Sequence, residues 1–161
     1  MMAEHPMTRK KRGLCIAVIV VLLLIGLGAV SLYRLVPSYS RVLEANWGVE
    51  LPAKALLKLE YEQDSGASFH GDGMRFHIYS YKYEDYIDLM FAWIPGEPET
   101  LYHPTAREAA ESWLSEIDVP QGQRPDYAAC SVWYKAKSDN SELLIFRDSE
   151  KNLLYVLENL L

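Results

Sequence analysis

Met74-Arg75-Phe76-His77-Ile78-Tyr79-Ser80-Tyr81-Lys82-Tyr83 alternates along its length. Met74, Phe76 and Ile78 take one face, and Arg75, His77, Tyr79, Tyr81 and Tyr83 take the other. A period of two is the mark of a strand, whose successive side chains leave on opposite sides. A second alternation lies upstream, where Leu57, Leu59 and Tyr61 interleave with Lys58, Glu60 and Glu62. The segment between them, 63–73, is rich in Gly, Ser and Asp and reads as a loop. Two strands across one loop are expected to pair as a hairpin.

Downstream, 84–93 is ambiguous. Tyr86, Leu89, Met90 and Trp93 have helical spacing, and Glu84, Asp85 and Asp88 suit a first helical turn. A loop with three prolines, 94–104, follows. Thr105-Ala106-Arg107-Glu108 is a capping box that opens the clearest helix. Its expected buried stripe is Ala106, Ala109, Ala110, Trp113 and Ile117, and Pro120 stops it. Arg107 and Glu111 are spaced as i,i+4 partners on the outer face. Three short strands then follow at about 129–137, 142–147 and 153–158, separated by turn-forming residues. The expectation is an α+β fold: an antiparallel sheet of about five strands with two or three helices on one face, preceded by one N-terminal transmembrane helix.

That last element rests on 14–33, an apolar run of twenty residues without a charge, directly behind Arg9, Lys10, Lys11 and Arg12. At about 1.5 Å per helical residue, it matches the roughly 30 Å hydrocarbon core of a bilayer. Basic residues resist translocation, so residues 1–13 are expected to be a cytoplasmic tail. Residues 14–35 then form a transmembrane anchor and 37–161 an extracytoplasmic domain of a single-pass cell-membrane protein. The alternative is a cleaved signal peptide, whose apolar core is usually only about 7–15 residues. A short helix at 38–47 continues from the run and is closed by Gly48.

Charge narrows the partners. The first 36 residues hold five basic and one acidic residue; the remaining 125 hold 11 basic and 21 acidic, a net of −10. Such a surface repels phosphates, which excludes nucleic acid as a partner. Cys15 and Cys130 are the two cysteines, and a membrane run separates the first from the domain of the second. No internal disulfide is therefore expected. Cys130, in a strand-like run, reads as a small buried hydrophobe.

Phe69-His70-Gly71-Asp72-Gly73 is the most distinctive string. His70, Gly71, Asp72 and Gly73 are the candidate ligand-binding residues. An imidazole beside a carboxylate is acid–base equipment, and flanking glycines let a ligand approach the backbone. The alternative is a structural turn in which Asp72 bonds to nearby N–H groups and His70 anchors the loop. No serine or cysteine nucleophile stands in a recognisable motif, so no catalytic residue is assigned. His70, His77 and His103 lack metal-binding spacing, and the acidic residues do not match a calcium loop, so neither metal nor cofactor is assigned.

The order helix, Gly48-x-x-Leu51-Pro52, strand, Phe69-His70-Gly71-Asp72-Gly73, strand resembles a group of small, uncharacterised bacterial membrane-anchored proteins. Asp148 to Asn152 followed by Leu154-Tyr155-Val156-Leu157-Glu158 is similar to their ending. This chain departs from the group's pattern at Ala67-Ser68, where a glycine pair precedes the motif. The resemblance implies an α+β fold and an envelope location; it carries no activity.

Tyr79, Tyr81 and Tyr83 are the candidate contact surface. If a helix covers their face they are core; if the face is open they form an adhesive row for a protein or glycan. The leading function expected is a non-enzymatic interaction module at the cell envelope, with another envelope protein as its partner. Two alternatives stand beside it: an envelope enzyme with a site around His70 and Asp72, and an accessory subunit of a membrane complex held through the anchor.

Overall fold

The structure, a computed structural model, describes residues 18–19, 21–22, 39–52, 56–66, 72–94 and 98–161. The tail 1–13 and most of 14–35 lie outside the described residues. Among the described residues, no helix is long and apolar enough to cross a membrane. Val18, Ile19, Val21 and Leu22 are helical, and each is more than half exposed. The chain divides into two compact units, Met1–Leu51 and Pro52–Leu161.

In the first unit, helix α1 spans Tyr39–Trp47 and buries Leu43 and Trp47, one turn apart. Gly48 closes it at φ +67°, where its N–H donates to the Glu44 carbonyl at 2.7 Å. The left-handed conformation there explains the glycine.

The second unit is an α+β domain built on a five-stranded antiparallel sheet. Its strands are β1 (Leu57–Asp64), β2 (Gly73–Tyr81), β3 (Cys130–Ala136), β4 (Glu142–Asp148) and β5 (Leu153–Leu160), in the order β1-β2-β5-β4-β3. The hairpin β1–β2 and the meander β3–β4–β5 form as the sequence implies. They are joined by β2 pairing antiparallel with β5, with Phe76 opposite Leu157 and Ile78 opposite Tyr155. Between β2 and β3 lie two helices, α2 (Glu84–Asp88) and α3 (Ala106–Glu116), so the chain crosses from the middle of the sheet to its far edge. There Ile94 bridges to Val132 on the outer edge of β3.

Helix α3 begins as its capping box dictates: the Glu108 N–H donates to Thr105 Oγ1 at 3.1 Å. Ala106, Ala109, Ala110, Trp113, Leu114 and Ile117 form one core with Phe76, Ile78, Val132, Leu144, Phe146, Tyr155 and Leu157. Three alanines leave room for the helix to lie close to the sheet. The expected Arg107–Glu111 pair does not form. Glu111 takes Arg124 instead, at 2.6 Å, while the Arg107 guanidinium lies 5.6 Å from the centre of the Tyr127 ring.

The opposite face is buried too: Leu143, Ile145, Leu154 and Val156 have no exposure. Helices on one face, the expectation, therefore describes only α3. Arg147 points away from Phe146 by strand alternation, and it pairs with Glu84 and Asp88 of α2. The Phe91 ring stacks on Trp133 of the same face, with centroids 4.3 Å apart. Helix α2 is also shorter than the spacing of 84–93 implies. Ile87 is its buried residue, whereas Leu89 is 86% exposed and follows the helix as a turn.

One more departure repositions a side chain. The register of β1 against β2 shifts between Leu59 and Tyr61. This bulge puts Leu59 opposite Tyr79 but Tyr61 opposite Ile78, so Leu59 and Tyr61 leave on different faces. Tyr61 packs on the core with its ring 6.0 Å from Phe76, and Leu59 is exposed.

Candidate functional site

Of the four candidate ligand residues, His70 and Gly71 lie outside the described residues. Asp72 is exposed. Gly73 opens β2 at φ +126°, and a Cβ there would stand 2.3 Å from Ser65 Oγ. Ser65 closes the hairpin: its N–H donates to the Met74 carbonyl and its Oγ accepts from the Met74 N–H, both at 3.0 Å. Gly73 thus has a structural task, allowing the strand to pass beneath a serine side chain that clamps the loop.

The hairpin carries polar rows across three strands on the face opposite α3. Asp64, Arg75 and Glu158 are cross-strand neighbours, and Glu62 lies opposite His77 in the next row. Arg75 Nη1 is 3.9 Å from Glu158 Oε2, and the Glu158 side chain has no exposure. Glu62 Oε2 is 3.8 Å from His77 Nε2. Glu62, Gln63, Asp64 and His77 line a recess of about 300 Å³.

Burial pushes the His77 imidazole down to about 4, with help from the Arg75 charge and against the pull of Asp64. The ring is therefore neutral at pH 7, and the contact with Glu62 is not an ion pair there. The Tyr79 ring stacks on it, 6.1 Å away, and its phenol is raised by burial first and then by Glu62 and Glu158. The recess presents two carboxylates and an uncharged imidazole, a set of acceptors suited to an amine or guanidinium. Among the described residues of its lining, none carries a hydroxyl or thiol for the imidazole to activate.

The tyrosine row does not stay together. Tyr79 is half-buried and Tyr81 is buried, with its hydroxyl 3.4 Å from the Asp148 carbonyl. Tyr83 lies beyond the end of β2, is 56% exposed and meets Tyr86 edge-on at 6.2 Å. Of the expected row, Tyr83 is the exposed member, and its ring neighbour Tyr86 is exposed with it.

Arg75, Glu158 and Glu62 stand outside the site residues that the sequence marks. Glu158 had a legible signal: alternation places it with Leu154 and Val156, so a carboxylate stands at a core position. Among the described residues, no three His, Cys, Asp or Glu side chains gather as metal ligands. Compared with protein-family models, with curated proteins and with solved structures, the chain finds no match.

Proposed function

We propose that the chain is a single-pass membrane protein whose C-terminal α+β domain works outside the cytoplasm as an interaction module, with another envelope protein as partner. The observation that carries this reading is the charge-free run of twenty apolar residues behind four basic ones. Val18, Ile19, Val21 and Leu22, the described part of that run, are helical and each more than half exposed. Apolar side chains uncovered on a helix have lipid as their natural solvent. In the domain, the recess of Glu62, Asp64 and His77 is the contact region for a cationic group of the partner.

The test is capture from crosslinked membranes, comparing the wild-type chain with a folded Glu62→Gln/Asp64→Asn variant. The chain is expected to sediment with membranes and resist alkaline carbonate, and the variant to lose partners that the wild type captures. Release by carbonate overturns the anchor; equal capture by the variant overturns the contact region.

A further inference from the structure

The two edges of the sheet differ. At β3 the middle of the edge is occupied: the Ile94 N–H donates to the Val132 carbonyl at 2.9 Å, and the Val132 N–H to the Ile94 carbonyl at 3.2 Å. At the other edge, no described residue pairs with the outer side of β1. The Ser65 N–H donates to the Met74 carbonyl, so Ser65 turns its backbone toward β2. Hydrogen-bonding direction alternates along an antiparallel strand, and the register runs unbroken from Tyr61 to Asp64. Tyr61 and Gln63 therefore also bond toward β2, whereas Glu62 and Asp64 direct their N–H and C=O groups outward.

The same two residues carry the charge of this edge. The Glu62 side chain is 67% exposed, and Asp64 is exposed. Arg75, in the next strand, lies against the buried Glu158 carboxylate, so three carboxylates stand against one guanidinium there. Lys58, earlier in β1, adds no free cation, because its Nζ is 3.0 and 2.9 Å from the two carboxylate oxygens of Glu60.

We propose that β1 is extended by an antiparallel strand of a partner polypeptide that carries basic residues at two alternate positions, opposite Glu62 and Asp64. Strand addition takes its affinity from main-chain hydrogen bonds and its specificity from alternate side chains. Residues directly opposite one another share a face, so lysine or arginine two positions apart would stand beside both carboxylates. A second copy of this chain suits the edge poorly. Pairing of β1 with itself about Gln63 would set Glu62 against Asp64, and the bulge between Leu59 and Tyr61 breaks the flat edge that longer self-pairing needs. The inference rests on the recess as the contact region and adds how the partner is held.

The experiment is fluorescence anisotropy at low ionic strength, with the full chain in a non-ionic detergent. The probe is a labelled, acetylated Thr-Lys-Thr-Lys-Thr peptide, and Thr-Glu-Thr-Glu-Thr is the comparison. The lysine peptide is expected to bind and the glutamate peptide not. Methylating the backbone nitrogens of both lysines keeps the charge but blocks pairing with β1, and is expected to weaken binding about tenfold. Methylating the threonine nitrogens, which point away from β1, should leave binding unchanged. Glu62→Gln/Asp64→Asn, which keeps side-chain shape, is expected to weaken the lysine peptide about fivefold. Absence of lysine-peptide binding, or equal binding of the two methylated peptides, overturns strand addition. The recess as contact region is judged separately, by the membrane capture above. Equal binding by the variant chain overturns the basic pair. A dimer that dissociates as the peptide binds, seen by sedimentation, would assign the edge to a second copy and overturn the basic partner.

Discussion

His77 shows how one residue's setting changes its chemistry. A free imidazole titrates at 6.5, but in β2 the ring is buried beside Arg75 and its proton is held off down to about 4. Between those two values the unfolded chain binds a proton that the folded chain does not. Stability must therefore fall as pH drops from 6.5 toward 4 and stop falling from this cause below that. At about 1.36 kcal/mol per pH unit, the loss approaches roughly 3 kcal/mol. His77→Gln is expected to remove this part of the slope. Urea midpoints of the two proteins across that pH window check it, and parallel curves would overturn the assignment. The alternation that placed His77 with Arg75 and Tyr79 was legible in the sequence. The low proton affinity was not, because it depends on how deeply that face is covered.

Among the elements, local sequence signals match the structure best where the chain satisfies its own backbone. The capping box at Thr105, the stop at Gly48 and the turns before β4 and β5 each involve residues within a few positions of one another. The β1–β2 hairpin is the informative mixture. Its existence follows from two alternations and a loop, but the bulge that separates Leu59 from Tyr61 does not, since strict alternation was what the sequence offered. Helix α2 ends early for a related reason. Glu84 and Asp88 reach Arg147 and Ile87 enters the interior, so burial replaced the stripe that spacing implied. Closure of the hairpin depends on Gly73. Gly73→Ala combines a φ of +126° with a Cβ 2.3 Å from Ser65 Oγ, and is expected to cost about 1–3 kcal/mol. Chemical denaturation measures it; Ser65→Ala/Gly73→Ala should recover part of the loss by removing the clash and leaving the φ penalty. An unchanged midpoint for Gly73→Ala would show that the loop does not require glycine.

For the whole molecule, the described core has no covalent support: Cys130 is a free thiol, pushed up to about 12 mainly by burial. The native protein is expected to react slowly with thiol reagents at neutral pH and to show the same denaturation midpoint with and without reductant. A midpoint that drops in reductant would reveal a disulfide on which the fold depends. By itself the sequence determined the α+β class, the hairpin, the meander and the buried stripe of α3. These follow from periodicity, caps and turns, which act between residues near in the chain. Only the tertiary structure decided that β2 and β5 join the two pieces, that both sheet faces are covered, and that β1 stands at an edge of the sheet. Those outcomes come from long-range burial. It rewards whichever arrangement removes the most apolar surface from water, and no local spacing specifies which distant partner provides it.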